Sequence, residues 1–256
     1  MIDKAKFYSE VKKGTLGLFS GSLTQPQVDG FEAILDEWEA SGYTDIRWLA
    51  YLLATTHHET NKTFQPVREA YWLSEAWRKA NLRYYPYYGR GYVQLTWAAN
   101  YDKQGKKYNL PLVANPDLVM DPKVAAKILI HGSVAGDFTT KKLSDYFNDR
   151  VDNPIEARRI INGTDKASLI SGYHIKYLKA LTASVVSKQP SPLPPHQPTP
   201  ETSPVTLPEA PEGTPEAQVG TGTNSQSTAT RVSVGAAILA AIIAAVTAIL
   251  KANGLM

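Results

Sequence analysis

Apolar residues recur at helical spacing through most of the first 187 positions. Val28, Phe31, Leu35 and Trp38 follow one another at intervals of three and four, the stripe of an amphipathic helix. Thr24 with Gln27 three residues on makes a capping box, Pro26 sits in the first turn, and Gly42 ends the pattern. Asp45 is positioned to cap a second helix carrying Ile46, Leu49, Leu53 and His57. Asp121-Pro122 opens a further helix with Val124, Ile128 and Leu129 on one face, and Asn153-Pro154 opens another. The last runs over about 166–184, with Ile170, Tyr173, Tyr177 and Leu181 inward. Strand signals are sparse. The aromatic, glycine-rich and partly alternating stretch 84–95 predicts a short hairpin or loop. The fold class expected for 1–187 is therefore mainly α with one small aromatic hairpin or loop.

The pattern breaks near Ser187. From 188 to 230 the chain is Pro, Thr, Ser, Gly, Glu and Gln with almost no large apolar side chains. Such a stretch buries too little surface to offset its ordering entropy, which predicts a disordered linker, extended in its proline-rich first half. Behind it, 232–250 carries neither charge nor proline and is bracketed by Arg231 and Lys251. As a helix it would span about 28 Å, close to the hydrocarbon thickness of a bilayer. A transmembrane helix over 231–251 is expected, against the alternative of a buried or oligomerising helix. Ala237, Ala241 and Ala245 form a row of small residues suited to helix-mediated self-association. One basic residue at each end sets no orientation. The first 20 residues alternate lysines with apolar positions and hold no run long enough for a cleavable signal peptide.

Composition narrows the chemistry. There is no cysteine, which excludes disulfides, thiolate metal sites and a cysteine nucleophile. A formal charge of +3 is too mild to argue for nucleic acid as a partner and is compatible with an anionic cell wall.

Two segments carry candidate chemistry. His57-His58-Glu59-Thr60 stands at the end of the second helix. A zinc-peptidase site would need a second histidine where Lys62 stands, and adjacent His57 and His58 point about 100° apart on a helix, so no metal is expected. Glycoside cleavage instead needs a carboxylic acid to protonate the leaving oxygen and a second carboxylate to activate water or attack the sugar. A glutamate ending a largely apolar helix is partly desolvated, which favours the protonated form such an acid requires. The alternative is a solvated or capping glutamate. In the second segment, 87–96, two glycines flank Arg90 with aromatics on both sides. Glycine lets the backbone approach a ligand, Gln94 and Thr96 carry hydrogen-bonding groups, and tyrosines and Trp97 can stack on sugar faces. The alternative is an aromatic turn that only packs.

HHET, YYGRGYVQLTWAANY and RRIINGT, in that order, resemble the glycoside hydrolase family 19 chitinases and, more closely, the phage and prophage endolysins related to them, over about 24–181. The resemblance implies a lysozyme-like helical fold with Glu59 as the general acid. It puts Gln94, Thr96 and Asn100 against substrate and the catalytic water, and Asn162 on the cleft wall. His58, Arg90 and Tyr92 join them as candidate substrate-binding residues. The cysteine-containing loop that carries the second carboxylate in plant-type chitinases is missing, which leaves Glu69 and Glu75. Glu69 is favoured, because endolysin-like relatives carry a glutamate about ten residues after the acid and Glu75 lies in LSEAWRKA, which reads as an ordinary exposed helix. Arg68 and Arg90 are candidates to hold the carboxylates or the substrate, or else surface arginines. An inverting mechanism is implied, with Thr96 helping Glu69 to orient the water, a carboxyl separation of roughly 6.5–9.5 Å and no metal or organic cofactor.

The expected function is a muramidase-like peptidoglycan hydrolase of endolysin type, anchored in a host or virion membrane by its C-terminal helix and acting on cell-wall glycan strands. The alternatives are a chitinase acting on N-acetylglucosamine polymers, and a non-catalytic wall-binding or membrane-active protein.

Overall fold

The computed structural model describes residues 1–186; the linker and membrane-helix expectations for 188–251 lie outside the described residues. Eight α-helices are described in chain order: α1 (Lys4–Val11), α2 (Gln25–Ser41), α3 (Ile46–Glu59), α4 (Glu75–Asn81), α5 (Ala98–Tyr108), α6 (Pro122–Ala135), α7 (Leu143–Tyr146) and α8 (Ala167–Ser184). Two-residue strands β1 (Val67–Arg68) and β2 (Arg90–Gly91) pair antiparallel, Val67 opposite Gly91 and Arg68 opposite Arg90. Among the described residues no helix is long and apolar enough to cross a membrane.

The helix ends follow from local chemistry. Thr24 Oγ1 accepts from the Gln27 N–H while the Thr24 N–H donates to Gln27 Oε1, closing the capping box of α2. Gly42 then takes φ 72°, a left-handed cap that glycine adopts without steric cost. Asp45 accepts from the Arg47 N–H and Asp121 from the Lys123 and Val124 N–H groups, starting α3 and α6.

α3 is the centre of the domain. Every residue from Leu49 to His57 is buried, as expected of a helix surrounded by others rather than one with a single apolar stripe. It packs along α8, which α1 also contacts, while α2 packs on α6. The chain ends of the domain are tied together: the Asp3 N–H donates to Ser184 O at 2.8 Å, and Ile2 bridges Val185. The turn after α3 is seated on α2 by close contact. A Cβ at Gly30 would lie 1.8 Å from Phe64 O, and the Phe31 and Phe64 rings stack at 3.9 Å.

Three helices have no counterpart in the sequence reading. α5 is polar, with Tyr101 as its one buried large apolar side chain, so it shows no apolar stripe. α1 and α7 are 8 and 4 residues long, too short for periodicity to register. Conversely, Asn153-Pro154 opens only a 3-10 turn, Glu156–Ile160. Asn153 Oδ1 caps it through the Glu156 N–H, but Lys166 at φ 55° breaks the path before α8 begins.

Candidate active site

Glu59 is the last residue of α3, and its side chain is only 10% exposed. Its Oε1 accepts from Arg158 Nη1 at 2.7 Å. Arg158 reaches it from the 3-10 turn, where its own Nε–H is anchored on Asp165 O. Glu59 Oε2 takes no hydrogen bond from the described residues and is not sealed from solvent. His58 lies within electrostatic reach of the pair, and burial lowers its imidazole below the usual range. Asn162 follows on the same turn, its N–H donating to Arg158 O, with its side-chain amide half-buried and unbonded among the described residues.

Glu69 comes directly after β1 and is held differently. Tyr84 O–H donates to its Oε1 at 2.5 Å and the Gly89 N–H to its Oε2 at 3.0 Å. The Glu69 N–H in turn donates to Gly89 O at 2.7 Å, so strand pairing and carboxylate capture occur at one residue. Burial, and then the bond to Glu69, push the Tyr84 phenol well above its ordinary value. A Cβ at Gly89 would sit 2.7 Å from Gln94 Oε1 and 3.3 Å from Glu69 Oε2, so glycine is what lets these groups converge. Gln94 is fixed by Nε2 donating to Val67 O, Thr96 by Oγ1 donating to Gln94 O, and Asn100 by Nδ2 donating to Thr96 O. Glu69, Gln94, Thr96 and Asn100 thus belong to one hydrogen-bonded loop system.

Glu75 is outside that system. It sits at the start of α4, half exposed, and takes bonds from Arg78 and the Tyr88 hydroxyl. Partial burial works against ionisation there, but these donors hold its carboxyl below the usual range.

Two candidate substrate contacts are corrected. Tyr92 is fully buried, with its hydroxyl donating to Phe64 O, so it locks the loop after α3 and has no face left for a sugar. Arg90 is also buried: it donates to Pro86 O, Tyr88 O and Asp117, and lies 3.6 Å over the Tyr88 ring. Arg68 pairs with the same Asp117. The two arginines therefore staple the 3-10 turn Pro116–Met120 to the small sheet rather than holding the glutamates. Partial burial opposes the charge on Asp117, and both guanidiniums outweigh it, lowering its carboxyl below the usual range.

Exposed aromatics follow Glu69 and Thr96 in the chain. Tyr71 and Trp72 follow Glu69 and meet edge to face at 5.1 Å. Trp97 follows Thr96, with its ring 4.9 Å from that of Tyr84. A hollow of about 740 Å³ is lined by Thr24, Gln27, Thr60, Gln65, Arg68 and Tyr71, among others. It includes the chain neighbours of Glu59 and Glu69 but neither carboxylate. Among the described residues no group of three or more His, Asp or Glu side chains is arranged to hold a metal ion.

The sequence reading missed Arg158 and Tyr84. Arg158 lies in the RRIINGT motif, next to residues already singled out, but nothing local marks it as the partner of a glutamate 99 positions away. Tyr84 is one of four tyrosines in YYPYY, and no spacing rule selects it.

Residues 65–134 match the family model described as chitinase class I, glycoside hydrolase family 19. Among curated relatives, chitinase 8 of Oryza sativa subsp. japonica is 38% identical over 84 residues, 31% of this chain and 31% of the relative. Chitinase 11 of the same plant is 35% identical over 115 residues, 36% of this chain and 44% of the relative. The chain therefore spans less than half the length of these relatives. Among solved structures, chitinase C from Streptomyces griseus HUT6037 superposes with a TM-score of 0.46 at 23% identity, covering 69% of this chain and 76% of that one. A class IV chitinase from Zea mays gives 0.43 at 20%, covering 72% and 96%. The relationship rests on the sequence match, which includes Glu69, Gln94, Thr96 and Asn100 and leaves Glu59, Arg158 and Asn162 outside the matched segment. Through residues 65–134 this chain is related to the glycoside hydrolases of family 19, the chitinase type.

Proposed function

We propose that the described domain is a chitinase-type glycoside hydrolase that cuts β-1,4-linked N-acetylglucosamine polymers by a single displacement. The observation that carries this reading is the anchoring of Glu69 by Tyr84 and Gly89 inside the family-matching segment, with Glu59 separately anchored by Arg158 and one of its oxygens unbonded. Glu59 Oε2 donates a proton to the glycosidic oxygen while Oε1 stays with Arg158. Glu69 keeps lone pairs beyond its two hydrogen bonds, orients a water for attack at the anomeric carbon and takes the proton that water gives up. Trp97 and the Tyr71–Trp72 pair supply flat faces for sugar rings, and Gln94 an amide for acetamido or hydroxyl groups. The acid and base act on opposite faces of the sugar, so the configuration inverts.

The comparisons support chitin over the peptidoglycan substrate expected from the sequence, because the relatives bear the name chitinase. Peptidoglycan is kept as a second reading on one observation, the uncharged apolar stretch 232–250 behind a proline-rich segment, which suits an enzyme tethered near a wall. The deciding experiment offers the protein colloidal chitin and purified peptidoglycan side by side and follows soluble products by mass spectrometry. Chito-oligosaccharides born as the α-anomer, seen by proton NMR, are the expected result. Muropeptides alone would move the substrate to the second reading. Binding without products, surviving loss of both Glu59 and Glu69, would remove the hydrolase reading.

A further inference from the structure

Behind Glu59 runs a row of polar side chains that the chemistry above does not use. Tyr51, Thr55 and Glu59 are spaced four apart on α3, which sets all three within an arc of about 80° on one helix face. Tyr51 and Thr55 are each only 1% exposed. Neither the Tyr51 hydroxyl nor Thr55 Oγ1 has a hydrogen-bond partner among the described residues.

Thr55 stands out beside its neighbours. Thr56 Oγ1 donates back to Leu52 O at 3.0 Å, and Thr60 Oγ1 to Thr56 O at 2.7 Å, the usual way a helical threonine satisfies its hydroxyl. Thr55 has the same option, the carbonyl four residues back, and does not take it. Its hydroxyl lies one helical turn on from Tyr51, and neither side chain is bonded to the other. The charges of Arg158 and Glu59 both act on the Tyr51 phenol, which burial in the first place pushes well above its ordinary value. Arg158 uses Nε and Nη1 for Asp165 O and Glu59, and its Nη2 has no bond to a described residue.

Two buried hydroxyls share the helix face that ends in Glu59, where the Arg158 guanidinium is bonded, and leaving those two hydroxyls unpaired would cost each its solvation. One buried water between them satisfies both hydroxyls, exchanging a bond with the phenol and donating to Thr55, and its remaining acceptor site suits the unbonded Nη2–H of Arg158. We propose that Tyr51 and Thr55 are positioning residues that hold the Arg158–Glu59 pair through a shared buried water, and so aim the Glu59 carboxyl. They touch no substrate. This rests on the hydrolase reading for its kinetic consequence, and not for its structural one.

The test has two arms on the full chain. A high-resolution crystal structure is expected to show an ordered water within hydrogen-bond distance of the Tyr51 hydroxyl and Thr55 Oγ1; a dry contact there overturns the proposal whether or not the protein cuts glycan. In the kinetic arm, Thr55→Val and Tyr51→Phe each lower kcat about tenfold, the effect of losing one aligning hydrogen bond. KM and the circular dichroism spectrum stay as in wild type, and Thr55→Ser restores kcat. Unchanged kcat in both variants, or a loss that Thr55→Ser fails to restore, overturns it. If the wild-type chain releases no product from any glycan, the hydrolase reading falls and the water alone decides the proposal.

Discussion

The two glutamates are held by opposite means. Glu59 ends a long buried helix and meets a cation that arrives from 99 positions away. Glu69 follows a two-residue strand and meets only neutral donors, a phenol and a backbone N–H from 15 and 20 positions downstream. A guanidinium pairs strongly but leaves a costly charge behind if either partner is lost. Neutral donors fix direction with less at stake. The contrast suits the proposed division of labour, in which Glu59 delivers a proton along a set line and Glu69 holds a water.

The largest effect expected from this comparison is at Glu59 itself. Glu59→Gln keeps an acceptor for Arg158 and removes the transferable proton, so glycan hydrolysis should fall about 10³- to 10⁴-fold with folding intact. Retained turnover in that variant would remove the acid from Glu59. Next comes Arg158→Met, which leaves a carboxylate at 10% exposure without its cation; a loss of about 3 kcal/mol in denaturant unfolding is expected. If it costs no more than a change at the neutral cradle, the distinction between the two sites fails.

A third effect concerns pH. His57 sits two residues before Glu59, buried, its Nδ1 2.8 Å from the Tyr177 hydroxyl, and burial lowers its imidazole to about 3. The unfolded chain takes up that proton near pH 6.5, while the folded protein resists until about 3. His57 therefore supports the fold fully above about pH 6.5, and stability falls by about 1.4 kcal/mol per pH unit as the pH drops below that value toward 3. His174, also buried and lowered, adds in the same direction. His57→Gln should remove one proton from the slope of stability against pH between 6 and 4; an unchanged slope would place the acid sensitivity elsewhere. The smallest effect is at Tyr84. Tyr84→Phe leaves the Gly89 N–H in place on Glu69 and should lower kcat about tenfold while moving stability by about 1 kcal/mol. A loss as deep as that of Glu59→Gln would make the phenol itself a catalytic group.

Much of the fold was legible because its signals are local. The capping box at Thr24 and Gln27, the caps at Asp45 and Asp121 and the left-handed Gly42 each act within one turn of chain; α2 starts and stops, and α3 and α6 start, where they say. α5 was not legible, because a polar helix resting on one tyrosine has no stripe to read. The site was legible in part. The segment 87–96 announced a ligand-approaching loop, and the structure bonds Gln94, Thr96 and, just beyond it, Asn100 in series to the carbonyl of Val67, two residues before Glu69, while Arg90 and Tyr92 from the same string turn inward as its supports. A glycine-flanked arginine among aromatics looks the same in sequence whether it faces a ligand or Asp117.

By itself the sequence determined where the main helices lie, that Glu59 ends one of them, and that 84–95 is a short aromatic hairpin or loop. Those follow from hydrogen-bond caps and apolar spacing, which depend on neighbours in the chain. Only the tertiary structure decided that Arg158 grips Glu59, that Tyr84 and not another of its tyrosine neighbours grips Glu69, and that the buried Thr55 hydroxyl bonds no carbonyl of its own helix. Those depend on how α3, α8 and the loops pack, and charge pairs across 99 residues carry no mark in either partner's local sequence.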